Sequence, residues 1–234
     1  MSTQLFALPY AGGSASIYRD WASELEPEIG IVPIEYAGHA SRFCEDFFAS
    51  IEEAAQDISE TILKQQPENY IIYGHSMGCF VALETAYLLE KKEAVLPKAV
   101  IFAATCPPHL NYKNTQLGNL SREDLMKEIV SRGQFEEEIL ECEELYEMIS
   151  DIMFADIQMY SKYNYSFDER KLSVPVLSLT GEDDDEALPE DMKEWQKYTS
   201  GPFSFHCFKG NHFFAFNDNH EVMEFIKNYV KSVL

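Results

Sequence analysis

Tyr70-Ile71-Ile72-Tyr73-Gly74-His75-Ser76-Met77-Gly78-Cys79-Phe80-Val81-Ala82-Leu83 is the stretch on which the fold turns. Residues 69–73 form a short apolar run of strand character, and residues 77–92 carry a helical pattern. Between them, Gly74-His75-Ser76-Met77-Gly78 fits G-x-S-x-G, in which a serine stands on a strained strand-to-helix corner. The flanking glycines have a physical purpose, because a Cβ on either side would clash where the chain reverses. Such a corner lifts the Ser76 hydroxyl above a sheet edge and aims the first amides of the helix at the same point. The five-residue pattern also arises by chance, so the strand before it and the helix after it carry the weight. Ser76 is the candidate nucleophile; the competing reading is a glycine-flanked turn whose serine merely caps a helix.

Outward from this corner, short apolar runs alternate with helical patterns. Residues 5–8, 29–35, 98–105, 174–180 and 203–208 read as further strands. Helices are expected near 16–25, over 50–66 and over 219–233. The alternation predicts an α/β fold with a mostly parallel central sheet flanked by helices. Residues 106–170 break the rhythm, being too long for a simple connection and lacking a strand. Ser121 is a helix cap there, with Asp124 three residues on and Leu120 and Leu125 placed as a staple. A second helical pattern covers 136–163. A helical insertion at about 107–165 is placed to act as a lid over the carboxyl edge of the sheet, where open α/β sheets bind ligands. No Pro/Gly/Ser-rich linker divides the chain, so residues 1–234 are expected to form a single domain.

A serine hydroxyl needs a base, and in this arrangement the partners follow in the order serine, acid, histidine. His212, in Lys209-Gly210-Asn211-His212-Phe213-Phe214, follows the last strand in a loop that can reach the sheet edge. His39 and His109 precede the acid, His75 lies inside the corner and is expected to point away, His206 sits within a strand, and His220 starts a helix. The acid should follow the strand 174–180, where Gly181-Glu182-Asp183-Asp184-Asp185-Glu186 offers several carboxylates. Residue type leaves Asp184, Asp183 and Asp185 open. Two backbone N–H groups must face the developing oxyanion. One is expected from Met77, after the nucleophile, and the other from Pro9-Tyr10-Ala11-Gly12-Gly13 after the first strand, with Ala11 as candidate.

Composition narrows the rest. The 234 residues carry 40 acidic and 18 basic side chains, a formal charge of −22 that repels nucleic acid and anionic membranes. No run approaches the length that spans a bilayer. The start, Met1-Ser2-Thr3-Gln4, lacks a secretory pattern. Five scattered cysteines without a CxxC pair suit reduced thiols, so a cytoplasmic location is expected. With neither metal-ligand cluster nor nucleotide loop, no cofactor and no metal are expected.

The chain resembles the type II thioesterases, editing α/β-hydrolases that accompany nonribosomal peptide and polyketide synthases. The resemblance covers nearly the whole chain. It rests on Leu8-Pro9-Tyr10-Ala11-Gly12-Gly13, Tyr36-Ala37-Gly38-His39, Gly74-His75-Ser76-Met77-Gly78, Cys106-Pro107-Pro108-His109, Gly181-x-x-Asp184 and Gly210-Asn211-His212-Phe213-Phe214. It implies Ser76, Asp184 and His212 as catalytic triad, with Ala11 and Met77 amides as oxyanion hole. The G-x-x-D register singles out Asp184. Ala37 departs from a usual proline, Cys79 from a small residue, and Asn211 from Gly or Asp. The implied substrates are small acyl or aminoacyl groups in thioester linkage to the phosphopantetheine arm of acyl or peptidyl carrier protein domains. The implied enzyme works as a monomer, without nucleic acid or membrane. Carrier domains are themselves acidic, so docking is expected to use local apolar contacts near the lid at Met148, Met153 and Met159. Two rivals share the same motifs: a carboxylesterase or lipase acting on free esters, and a non-catalytic α/β-hydrolase-like binding protein, which predicts a missing triad member.

Overall fold

The computed structural model describes residues 3–110, 116–131, 142–163, 170–216 and 219–234. Six strands form one sheet: β1 (Thr3–Leu8), β2 (Ile29–Pro33), β3 (Tyr70–His75), β4 (Ala99–Ala103), β5 (Val176–Gly181) and β6 (Phe203–Phe208). Their order is β2-β1-β3-β4-β5-β6, and every pairing is parallel. Each expected strand is present. β2 is shorter than the expected 29–35, ending at Pro33, whose missing N–H is tolerated because β2 lies at the sheet edge.

Side-chain alternation along the strands sorts the core into two layers. Leu5 and Ala7 of β1 and Ile71 and Tyr73 of β3 face Tyr18, Trp21, Val222 and Ile226. Phe6, Leu8 and Ile72 face the other way, onto Ile58, Ile62, Phe80 and Leu83. Helix α1 (Trp21–Leu25) and the C-terminal helix His220–Val233 therefore cover one face. Helices α2 (Ile51–Gln65) and α3 (Met77–Lys91) cover the other. The expected helix at 16–25 is interrupted: a 3-10 turn, Ala15–Tyr18, precedes α1. The turn lets the Tyr18 hydroxyl donate to the Leu8 carbonyl at 2.7 Å, tying the segment to the end of β1.

The chain runs from β1 to β2 on one side and resumes at β3 on the other, so the order reverses between β1 and β3. At such a reversal the loops leaving the two strands diverge and open a crevice at the carboxyl ends. Leu8 is level with Gly74 there, so the loop after β1 and the corner after β3 emerge side by side.

The described part of the insertion is largely helical, as expected. Its helices include Arg122–Ser131 and the long lid helix Glu143–Ser161. The Ser121 hydroxyl accepts from the Asp124 N–H at 3.2 Å, which fixes the start of the first. The expected pattern at 136–163 is a helix from Glu143 onward, and residues 136–141 lie outside the described residues. Met153 and Met159 do not serve as docking residues, because both are buried; they point inward with Ile157 and Tyr160, and of the three methionines Met148 alone is exposed. A further helical stretch, Pro189–Met192 continuing as the 3-10 turn Lys193–Tyr198, was not legible from periodicity. It places Trp195 flat on Phe102 of β4, with ring centroids 3.9 Å apart, and its indole N–H donates to the Thr105 carbonyl. Among the described residues, no helix is long and apolar enough to cross a membrane.

The glycines of the corner are required by close approach. A Cβ at Gly74 would lie 2.3 Å from the Gly78 carbonyl oxygen, and one at Gly78 would lie 2.5 Å from the Leu8 oxygen of β1. Both neighbours are backbone and cannot swing aside. Gly78→Ala should therefore destabilise the fold by about 1–3 kcal/mol, read as a lower urea midpoint at unchanged slope. An unaltered midpoint would show that this contact is not a constraint.

Candidate active site

Ser76 has φ 53° and ψ −122°, a backbone conformation that costs a non-glycine residue about 1–3 kcal/mol. The neighbourhood holds it there. Its N–H donates to the Ala103 carbonyl at 2.8 Å, and its carbonyl accepts from the Cys79 N–H at 2.9 Å. The Cys79 thiol lies 3.1 Å from the Gly74 oxygen and 3.2 Å from the Ala103 oxygen, so the departure from a small residue is accommodated by hydrogen bonding. Burial pushes that thiol's pKa well up, so it stays protonated and is no rival nucleophile.

Ser76 and His212 line one cavity at the carboxyl edge of the sheet. Of the three aspartates after β5, Asp184 is buried while Asp183 and Asp185 are exposed. Asp184 Oδ2 is 3.0 Å from His212 Nδ1. Its other oxygen accepts from the Glu186 and Ala187 N–H groups at 2.9 and 3.1 Å. Burial alone would raise the Asp184 pKa, but the bonds from His212 and these two amides outweigh it and hold the carboxyl below its usual range. A carboxylate can only accept, so His212 carries its proton on Nδ1, and in the neutral ring Nε2 is free of a proton and able to accept one. For His212 itself, burial opposes the charged form. The Asp184 hydrogen bond and charge exceed that effect, with Glu186 and Asp185 adding to it, and the pKa rises above 6.5.

Met77 is the first residue of α3, so its N–H has no partner within the helix. Ala11 lines the cavity beside Ser76, in a loop pinned at several points. The Tyr18 hydroxyl donates to Leu8, the Tyr36 hydroxyl to the Pro9 carbonyl at 3.1 Å, and the Gly13 N–H to the Tyr10 carbonyl at 2.9 Å. The cavity thus holds a strained serine, an imidazole backed by a buried carboxylate, and the loop that follows β1.

Residues 3–230 match the thioesterase domain. The chain belongs to the thioesterase family. Thioesterase PikA5 of Streptomyces venezuelae is 29% identical over 230 residues, covering 98% of this chain and 81% of that protein. A protein of Brevibacillus parabrevis named linear gramicidin dehydrogenase LgrE is 27% identical over 233 residues, covering 98% of this chain and 88% of its own length. Among solved structures, ClbQ from the colibactin NRPS/PKS pathway superposes with a TM-score of 0.91 at 26% identity, covering 100% of this chain and 98% of that one. The type II thioesterase BorB from the borrelidin biosynthetic cluster gives 0.87 at 27% identity, covering 98% and 93%. The α/β-hydrolase fold and the type II thioesterase resemblance are both borne out.

Two histidines of the thioesterase have roles that spacing did not reveal. His75 does point away from the cavity, yet it is not idle. Its Nε2 is 2.9 Å from the His212 carbonyl oxygen, and its Nδ1 is 3.0 Å from the Tyr73 hydroxyl. The carbonyl accepts only, so Nε2 donates and Nδ1 receives the tyrosine proton. Burial and the neighbouring His212 bring the His75 pKa down to about 3, so the ring stays neutral in this tautomer and fixes the backbone of His212. His39, in turn, meets Asp156 of the long lid helix, Nε2 to Oδ2 at 3.0 Å, and both are buried. Among the described residues, no group of three or more His, Cys, Asp or Glu is arranged to hold a metal ion.

His212 must be neutral to take a proton, and its pKa lies above 6.5. The kcat/KM of the thioesterase should therefore fall as pH drops through a value above 6.5, not below it. Asp184→Asn should cut kcat on the order of 10⁴-fold and move that inflexion to lower pH, because the charge that raises it is gone. A pH–rate profile checks both, and an inflexion unmoved by D184N would detach Asp184 from the base.

Proposed function

We propose that this thioesterase removes small acyl and aminoacyl groups from the phosphopantetheine arms of carrier domains, through an acyl ester on Ser76. The observation that carries the reading is the cavity shared by Ser76, His212 and Ala11, with His212 held by Asp184. Ser76 Oγ attacks the thioester carbonyl while His212 Nε2 takes its proton. The carbonyl oxygen becomes an oxyanion facing the Ala11 and Met77 N–H groups. As the C–S bond breaks, His212 returns the proton to the departing thiol. A water then loses its proton to His212 and attacks the acyl–Ser76 ester, and the regained proton leaves with the Ser76 oxygen. Each oxyanion forms at the same point, so one pair of donors serves both halves.

The size of the cavity supports short acyl groups. About 40 Å³ is open beside Ser76, roofed by Leu117, Ile129, Met153, Ile157 and Tyr160. At roughly 10–15 Å³ for a water, that is room for a few heavy atoms. The names of the relatives point to thioesters rather than free esters, and a binding protein would not need a strained serine beside a base. With −22 net charge, long-range attraction to an acidic carrier is absent, and docking falls to local contacts such as exposed Met148.

Incubation with carrier domains loaded with acetyl, propionyl, aminoacyl or palmitoyl groups, followed by intact mass, tests the reading. Acetyl and propionyl carriers should be unloaded at least about tenfold faster than palmitoyl carriers, roughly the discrimination expected of a size-limited apolar pocket. Ser76→Ala should lower the rate on the order of 10⁴–10⁶-fold. A higher kcat/KM on p-nitrophenyl esters than on every loaded carrier would instead make the protein a carboxylesterase.

A further inference from the structure

The long lid helix hydrogen-bonds the loop that carries Ala11 through Asp156. Asp156 Oδ2 accepts from the Gly12 N–H at 2.7 Å, the next amide after Ala11, and from His39 Nε2 at 3.0 Å. His39 Nδ1 is 3.1 Å from the Ala37 carbonyl oxygen. With a carbonyl oxygen on one side and a carboxyl oxygen on the other, both ring nitrogens of His39 face acceptors, a setting that favours the imidazolium. Burial opposes that charge, but the Asp156 hydrogen bond and charge more than offset it and raise the His39 pKa.

The lid helix and the loop also touch through packing. Gly12 has φ +78°, and a Cβ there would lie 2.5 Å from Met153 Cε, one helical turn before Asp156. Among the described residues, Tyr18, Tyr36 and Glu35 also bond this loop's backbone, the last through the Ala15 N–H at 3.1 Å. All three come from the body of the fold; Asp156 is the contribution of the insertion.

We infer that Asp156 is a positioning residue for the oxyanion hole, coupling the seating of the lid helix to competence of the donor at Ala11. Its carboxylate fixes the peptide between Ala11 and Gly12, and that peptide sets the direction of the preceding N–H. His39 holds the carboxylate at this point by binding the same oxygen. A lid helix shifted from its seat releases the Gly12 N–H, so the hole is complete only when the cavity is roofed. The inference rests on Ala11 as an oxyanion donor in the reading above.

Three variants test it on an acetyl-loaded carrier, with folding followed by thermal melting. Asp156→Ala should lower kcat about tenfold to a hundredfold, less than the 10²–10³ of losing a donor outright, with KM within about threefold, because the donor acts in the transition state. A purely structural tie would move KM or the melting temperature and leave kcat within about twofold; that result overturns the inference. Breaking a buried ion pair can unfold a protein. Should D156A not fold, Asp156→Glu decides: it keeps the charge for His39 but displaces the oxygen by a methylene. A tenfold loss of kcat at unchanged KM supports the inference, and an unchanged kcat overturns it. Ser76→Ala in the same assay separates the two levels. If S76A is dead while the Asp156 variants keep full kcat, only the inference fails; if S76A is active, the reading beneath it fails.

Discussion

The contact between the corner after β3 and the end of β1 is the constraint from which the rest follows. Gly78 packs its backbone against the Leu8 and Pro9 carbonyls at a distance where no Cβ fits. That approach does two things at once. It places the start of α3, whose first N–H has no partner within the helix, next to the loop that leaves β1. It also stabilises the backbone of Ser76 in a conformation the residue would not adopt alone, helped by the bond from its N–H to Ala103 on β4. Sheet order supplies the remaining ingredient, because only at the β1–β3 reversal do the two loops open a crevice between them. Catalytic geometry here is a consequence of backbone packing before any side chain is considered.

Three histidines around this crevice show how one residue type is sorted into different states by its acceptors. His75 lies between a hydroxyl and a carbonyl, is wholly buried, and is neutral. His39 lies between a carbonyl and a carboxylate, which favour its charged form. His212 has a carboxylate on one nitrogen only, which leaves the other nitrogen to exchange its proton. Burial acts against charge in all three, so the difference comes from the partners. Of these environments, only that of His212 suits a group that must change protonation during each turnover.

The fold was legible in the sequence because its strands are short apolar runs bounded by turns, and because the G-x-S-x-G corner fixes where one strand ends and a helix begins. Candidate site residues that belong to local patterns were legible too: Ser76 from its glycines and His212 from its place after the last strand, and the two line one cavity. The acid was not resolved by residue type, since Asp183, Asp184 and Asp185 are chemically alike. The structure separates them by burial and by the two amides that receive Asp184. Asp156 left no mark at all. It sits in a helix with acidic neighbours, and its partners Gly12 and His39 are 144 and 117 residues away in sequence. Met153 and Met159 misled for a related reason: helical periodicity identifies an apolar face, but not whether that face meets solvent, a partner or the body of the fold.

The architecture divides the site between two parts of the chain. Ser76, His212, Asp184 and the loop at Ala11 come from the sheet and its loops, whereas Leu117, Ile129, Met153, Ile157 and Tyr160, which line the same cavity, come from the insertion. Under the proposed function, substitutions among these insertion residues alter which acyl groups fit without touching Ser76, His212 or Asp184. The division is incomplete at one place. At Gly12 the lid helix packs Met153 against the loop and binds its amide with Asp156, so one wall of the cavity also touches the loop that carries Ala11, the proposed oxyanion donor. A change at Met153 large enough to admit a longer chain also removes packing from Gly12. Under the proposed function, acyl-length preference and stabilisation of the oxyanion are therefore physically linked on this side of the cavity.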